Sequence, residues 1–197
     1  MTAPLRYAFR PRPFTAETTL ELTRDMLVAN RAGRETSIPY REIATIRLFY
    51  APRGINFSGF RAKVYTRNGK TVSFEDRSYK SLVEQERLEG PYRLFVEALV
   101  ARTAAANPDV LLHAGKIAPM LALVALVGAV TLALLAYFGF RALTAGQYGT
   151  ALGVAVFVGY FSLWTWQFTI RNRPRTFNAR AIPADILPAA GAGAGRT

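Results

Sequence analysis

The chain has 197 residues, no cysteine and one histidine, and its 25 Lys and Arg outnumber 13 Asp and Glu, so the formal net charge is +12 at pH 7. The lack of cysteine excludes disulfides, iron–sulfur ligation and thiol catalysis. The single histidine excludes a His-rich metal site and a haem held between two histidines of this chain. We find no helix-turn-helix, zinc or RNA-binding signature, so we expect no nucleic-acid partner despite the basic charge.

The N-terminal half predicts short β-strands. Leu5–Phe14 is basic and rich in proline, which is typical of an irregular arm or an edge strand, and we assign residues 1–14 to an N-terminal arm. Alternating polarity and runs of β-branched and aromatic residues then indicate a series of strands. The predicted strands are Glu17–Leu22, Asp25–Asn30, Glu35–Ile38, Ile43–Tyr50, Phe60–Arg67 and Lys70–Glu75.

The last two predicted strands form a hairpin around Asn68-Gly69, which favours a two-residue turn. The simplest register pairs Tyr65 with Val72 and Lys63 with Phe74. That register places Lys63 on the core face, so either its side chain extends to the edge of the core or the register is different.

From Pro91 onward, apolar residues recur at every third or fourth position instead of every second. This spacing predicts one amphipathic helix, Tyr92–Ala101, which ends before Asn107-Pro108. Residues 78–88 are charged and indicate a loop or a helical turn. Residues 108–116 are expected to be a linker, so the soluble domain is assigned to residues 15–107.

This order of elements resembles the bacterial membrane-associated pleckstrin-homology-like families. The resemblance is carried by Ile38-Pro-Tyr-Arg-Glu-Ile43, the strand that ends in Tyr50-Ala-Pro, the Asn-Gly hairpin and the closing helix, and it covers about residues 15–105. It implies an α+β fold in which an antiparallel β-barrel or sandwich is capped by a C-terminal helix. It also implies that loops lie at the open end of the barrel, where some pleckstrin-homology-like domains bind phosphoinositides.

Two apolar runs of 24 and 23 residues follow, Ile117–Phe140 and Tyr148–Ile170, and neither contains an ionisable Asp, Glu, Lys, Arg or His. As helices each would measure roughly 35 Å, which suffices for a hydrocarbon core of about 30 Å. We therefore predict a transmembrane hairpin with a connecting loop at 141–147. The alternative is a pair of buried helices in a soluble protein.

The flanking charges predict the orientation of this hairpin. The loop contains only Arg141, whereas Arg171, Arg173 and two further arginines follow the second run. An excess of Lys and Arg marks the cytoplasmic side, so we expect a bacterial inner-membrane protein with both termini in the cytoplasm and a periplasmic loop. Predicted membrane-interface anchors are Trp164, Trp166, Arg171 and Arg173. The tail 171–197 is expected to return, extended, across the cytoplasmic face and to end in disorder.

Small residues four apart indicate close helix packing, either within the hairpin or against a partner. They are Ala125, Ala129, Gly149 and Gly153.

Basic residues beside the predicted turns are candidates for contact with anionic lipid headgroups. These residues are Arg31, Arg34, Arg53, Arg67 and Lys70.

We find no arrangement of residues typical of an active site. The carboxylates of Glu75-Asp76 and of Glu84, Glu86 and Glu89 lie among basic residues and are expected to form a solvated face. His113 is expected to be an interfacial residue rather than a ligand, and we predict no metal and no cofactor.

The sequence thus favours a non-catalytic membrane-anchored module that acts as an accessory or scaffold subunit of an inner-membrane complex, in contact with lipids and other subunits. The alternatives are a protein that senses anionic headgroups by itself and an enzyme acting on membrane lipids.

Overall fold

The computed structural model describes residues 4–52, 59–82 and 84–189, and the chain forms two compact units. One unit comprises Met1–Gly115 with Arg175–Thr197, and the other comprises Lys116–Pro174. The fold is α+β, with sheets followed by an apolar two-helix hairpin, as predicted. The elements are β1 (Leu5–Phe9), β2 (Thr18–Leu22), β3 (Met26–Arg31), β4 (Arg34–Pro39), β5 (Ile43–Tyr50), β6 (Phe60–Thr66), β7 (Thr71–Glu75), β8 (Arg77–Tyr79), β9 (Gln85–Arg87), α1 (Glu89–Ala106), β10 (Leu111–Ala114), α2 (Ala118–Thr144), α3 (Tyr148–Arg171) and β11 (Arg175–Thr176).

The first sheet is antiparallel, in the order β1-β2-β3-β4. Its strands alternate in burial as their sequence predicts, and Leu20 and Leu22 of β2 are fully buried. β1 pairs with β2 along its whole length and buries Tyr7 and Phe9. Leu5–Phe9 is therefore an edge strand of the sheet, and it belongs to the folded domain rather than to a separate arm.

The second sheet has the order β11-β10-β5-β6-β7. β10 lies parallel to β5 and antiparallel to β11. Part of the predicted linker 108–116 is thus a strand inside a sheet. Residues 78–88, expected to be a loop or a helical turn, instead contain most of the small antiparallel sheet β8-β9. The sheets do not close into the predicted barrel.

The register of β6 and β7 differs by one residue from the simplest prediction. Ala62 lies opposite Phe74, and Lys63 lies opposite Ser73. A longer turn causes the shift: Thr66 N donates to Lys70 O (3.0 Å), and Gly69 adopts a φ of 76°. The loop therefore has three residues and ends in a left-handed glycine. The core face then carries Ala62 rather than Lys63, which resolves the difficulty of a lysine in the core.

The core of the soluble unit is an aromatic cluster between the sheets and α1. The ring of Tyr7 lies 5.9 Å from that of Phe74 and 5.4 Å from that of Phe95, and Phe74 lies 5.7 Å from Tyr92. Tyr92 and Phe95 belong to the apolar stripe that predicted α1, and both are buried.

The tail after α3 packs on the soluble unit and contributes to its core, an arrangement that the sequence analysis left open. A short 3-10 helix, Ala184–Ile186, follows β11. Its last residue, Ile186, is 0% exposed, and the next residue, Leu187, is 2% exposed. Arg93 Nη1 donates a hydrogen bond to Pro188 O (2.8 Å).

The second unit consists of α2 and α3, joined by residues 145–147. Both helices are long and apolar enough to cross a membrane, and only 11% of the most apolar window of each is buried. The alternative of two buried core helices requires much greater burial. Within the pair, a Cβ on Gly128 would lie 3.0 Å from Thr165 Cγ2, and one on Gly139 would lie 3.2 Å from Val154 Cγ1. The two helices are therefore in close contact at these glycines.

We predict that Ile186→Ala combined with Leu187→Ala destabilises the soluble unit by about 2–5 kcal/mol per residue, because each change leaves a cavity in a packed core. Hydrogen exchange of the full-length protein should show faster exchange in β5 and β10. Leu82→Ala is the matched control, since Leu82 is 66% exposed. Equal protection in the core variant and the control would contradict the docking of the tail.

Candidate anion-binding groove

Two hairpins carry predicted headgroup residues to one place on the soluble unit. In the β3–β4 hairpin, Arg31 pairs with Arg34, and the two turn residues, Ala32 and Gly33, have φ values of 52° and 80°. Positive φ at both positions is the geometry that matches strand twist in a two-residue turn. In the β6–β7 hairpin, Lys70 follows the left-handed Gly69.

Between these hairpins lies a groove of about 460 Å³. Its lining combines two cations, four hydroxyl groups and an apolar floor. The cations are Arg31 and Lys70, and neither has an ion pair with a carboxylate within the described residues. The hydroxyls belong to Thr18, Thr36, Thr71 and Ser73, and the apolar residues are Phe9, Pro11, Ala29 and Val72.

Thr18 is the best-defined polar group in the groove. It is 7% exposed, and its Oγ1 has no hydrogen-bond partner. A buried hydroxyl without a partner costs free energy, and a ligand that accepts its proton would recover that cost. Hydroxyl donors beside a guanidinium and an ammonium group are the donor set that binds phosphate and carboxylate oxygens.

The structure separates the five predicted headgroup residues into three groups. Arg31 and Lys70 line the groove. Arg34 and Arg67 are exposed at the ends of the same two hairpins without lining it. Arg53 lies outside the described residues.

A second polar centre, which the sequence analysis missed, lies next to the aromatic core. Asp76 is 2% exposed and Glu89 is 9% exposed, so the prediction of a solvated acidic face is wrong for these two residues. Glu84 and Glu86 are exposed, as predicted. The alternation of β7 could have suggested the burial of Asp76, which follows buried Phe74 by two positions, although Asp76 itself lies in the bend just after the strand.

Burial raises the pKa of Asp76 to about 6, and the nearby carboxylate of Glu89 adds to this shift, while the Arg77 guanidinium opposes it. Arg77 Nε lies 4.0 Å from Asp76 Oδ1, whereas Oδ2 has no hydrogen-bond partner. The backbone of Asp76 joins two elements, since its N–H donates to Phe60 O and its carbonyl accepts from Leu88 N (2.7 Å). Asp76 thus holds its proton up to about pH 6, well above the usual range of an aspartate, at the junction of β6 and α1.

The predicted packing residues of the hairpin differ in their surroundings. A Cβ added to Gly149 or Gly153 would meet nothing within 4 Å. Ala129 is exposed and Ala125 is partly exposed, whereas the contact between α2 and α3 includes the nearby Gly128. The glycine pair of α3 is therefore not used within the hairpin.

The predicted interface anchors lie near the end of α3. Trp164 stacks between Phe161 and Phe168, with ring centroids 6.0 and 5.5 Å away. Trp166 is 65% exposed. Arg171 ends α3 and is partly exposed, and Arg173 is exposed just beyond it.

In residues 4–52, 59–82 and 84–189, no group of three or more His, Asp or Glu side chains is arranged to hold a metal ion. In comparisons with known proteins, no family model, no curated protein and no solved structure matches the chain.

We predict that Asp76→Asn changes the dependence of stability on pH. Because the folded-state pKa of about 6 exceeds the ordinary value of 3.8, the unfolded chain loses its proton first as pH rises. Asp76 therefore lowers the free energy of unfolding between pH 4 and 6, by roughly 3 kcal/mol in total. In the Asp76→Asn variant, this decrease in the free energy of unfolding between pH 4 and 6 should be absent.

Unfolding of the full-length protein in detergent at pH 4.5 and 7.5 would measure this difference. Glu84→Gln, at an exposed position, is the control and should keep the slope of the unaltered protein. If Asp76→Asn also keeps that slope, Asp76 does not hold a proton in the folded state.

Proposed function

We propose that the protein is a non-catalytic, membrane-anchored module whose soluble unit binds an anionic headgroup in the groove. The observation that carries this proposal is the meeting of Arg31, Lys70 and the unpartnered Thr18 hydroxyl in one concave site. Charge-assisted hydrogen bonds from such donors are shorter and stronger than neutral ones.

Membrane anchoring by α2 and α3 is the second part of the proposal. Their mean hydropathies of 2.5 and 1.3 support it, as does the small amount of surface that they bury. The arginines after α3 support a bacterial inner-membrane location with both termini in the cytoplasm. A four-stranded sheet followed by β5–β7 and a closing helix supports the pleckstrin-homology-like assignment, which remains part of the proposal.

We predict that Arg31→Gln with Lys70→Gln weakens the binding of glycerophosphate by at least about tenfold, because two charge-assisted contacts are lost. Titration of the full-length protein in phosphatidylcholine nanodiscs would measure the affinity. Arg24→Gln with Arg41→Gln removes the same charge from exposed positions outside the groove. Equal loss in both double variants would indicate general charge attraction and would contradict a built site.

Thr18→Val provides a second test that does not change charge. It removes an unsatisfied buried hydroxyl, so the free energy of unfolding should stay constant or rise. Affinity for glycerophosphate should nevertheless fall. If affinity is unchanged, the hydroxyl does not contact the ligand.

A second candidate function is that of an accessory subunit in a membrane complex. It is favoured by the unused pair Gly149 and Gly153, because such pairs allow the backbones of two helices to approach closely. Close contacts within the hairpin involve Gly128 and Gly139 instead, so Gly149 and Gly153 of α3 are available for contact with another helix.

We predict that Gly149→Leu with Gly153→Leu releases co-purifying subunits while the hairpin stays folded, since a Cβ at either position has no hairpin atom within 4 Å. Purification in a mild detergent followed by mass spectrometry would measure the loss. Ala155→Leu is the control, because it adds similar bulk at another exposed position of α3. Co-purification that survives the glycine double variant would exclude this contact.

A further inference from the structure

A row of basic side chains crosses the outer face of the five-stranded sheet. His113 of β10 lies beside Arg47 of β5, and Arg47 lies opposite Lys63 of β6. Lys63 in turn lies opposite Ser73 of β7, and Thr176 of β11 lies beside His113. Because paired residues in neighbouring strands point to the same face, these five side chains form one transverse row.

This face is opposite to the core. Residues adjacent to the row along each strand, Ile46, Leu48, Ala62 and Val64, are fully buried. Arg47, Lys63 and His113 are partly exposed, and the flanking Leu111 is 55% exposed.

Like charges directly opposite each other destabilise a sheet, and here Arg47 faces Lys63 without a compensating carboxylate in the row. Arg47 Nη1 donates to the carbonyl of Gly115 (3.3 Å), and Lys63 Nζ lies 5.9 Å from the centre of the Phe49 ring. These partners are uncharged. Within the described residues, neither cation forms an ion pair, so the positive charge of the row is not neutralised by the protein.

The neighbouring basic residue of β6, Arg61, differs from Lys63 because it has a carboxylate partner. Arg61 lies two positions before Lys63 and pairs with Glu75 on the adjacent strand. Glu75 lies opposite Arg61 and neutralises its charge, whereas the residue opposite Lys63 is the uncharged Ser73.

We propose that this outer face is an electrostatic docking surface for an anionic lipid bilayer, with Arg47 and Lys63 at its centre and His113 beside them. Five strands spaced about 4.8 Å apart carry the row over roughly 19 Å, which suits an array of headgroups better than a single anion. A second copy of this chain is a poor partner, because the chain itself carries a charge of +12.

The connections to the hairpin favour the bilayer as the partner. His113 precedes the first residue of α2 by five positions, and Thr176 follows the last residue of α3 by five positions. Basic segments that flank a membrane span are attracted to the negative surface of anionic lipids. The inference requires that α2 and α3 span a membrane, and it is independent of the groove.

His113 is a natural reporter, because it is the only histidine in the chain. Burial lowers its pKa, and the positive charge of Arg47 lowers it further, so the ring is largely neutral at pH 7. Because no other histidine contributes ring signals, the NMR signals of the His113 ring can be followed without assignment of other residues.

The test places the full-length protein in nanodiscs of phosphatidylcholine, with or without phosphatidylglycerol, that contain a lipid with a nitroxide on its headgroup. Docking predicts stronger broadening of the His113 ring signals in the anionic discs and loss of the excess broadening in high salt. Arg47→Gln with Lys63→Gln should also remove the excess. Arg24→Gln with Arg41→Gln, which removes the same charge elsewhere, should retain it.

Equal broadening in neutral and anionic discs would overturn the proposal. So would an excess that persists in Arg47→Gln with Lys63→Gln. A circular-dichroism spectrum and a thermal unfolding transition equal to those of the unaltered protein show that each variant is folded. Because Arg31 and Lys70 remain in these variants, failure of this proposal is distinguishable from failure of the groove.

Discussion

The position of β10 between β5 and β11 is the constraint on which the arrangement of the soluble unit depends. β10 runs parallel to β5, and a parallel pair requires a long crossover connection, which here includes α1. Additional backbone hydrogen bonds extend the pairing, from Gly115 N to Leu48 O (2.8 Å) and from Phe177 N to Leu112 O (3.1 Å). The apolar hairpin is thus inserted between two strands that are neighbours in the sheet. An insertion whose ends are already close together leaves the surrounding fold intact.

Charge pairing in the soluble unit is selective. Its carboxylates neutralise particular arginines, as in Arg61 with Glu75, Arg87 with Glu89 and Arg93 with Glu97. Arg31 and Lys70 in the groove, like Arg47 and Lys63 in the row, lack such partners within the described residues. The groove and the row are therefore two of the places where the described residues leave positive charge without a carboxylate, which supports the proposed binding of anions.

Much of the fold could be predicted from the sequence because the signals were local. The strands β2 to β7 follow from alternation and β-branched residues, and α1 follows from its apolar stripe. The errors occurred where tertiary contacts decide the outcome. β10 and β11 are short and acquire strand structure by pairing with partners far away in the chain, and the register of β6 and β7 depends on one additional turn residue.

The candidate site was predictable only in part for the same reason. Proximity to turns identified Arg31 and Lys70, but the sequence could not show that two separate hairpins meet at one groove. Thr18 gave no signal, since its role depends on burial without a partner. Asp76 was misassigned because nearby basic residues suggested solvent exposure, whereas the bend between β7 and β8 holds it in a buried position.

The groove and the basic row share one residue, and this connects the two proposed contacts with anions. Ser73 lines the groove and also ends the row opposite Lys63. A sheet face against a lipid surface would hold the middle of β7 near the headgroups. A headgroup could then enter the groove while its neighbours contact Arg47 and Lys63. In this proposal the row would supply long-range attraction that salt screens, and the groove would supply directed hydrogen bonds.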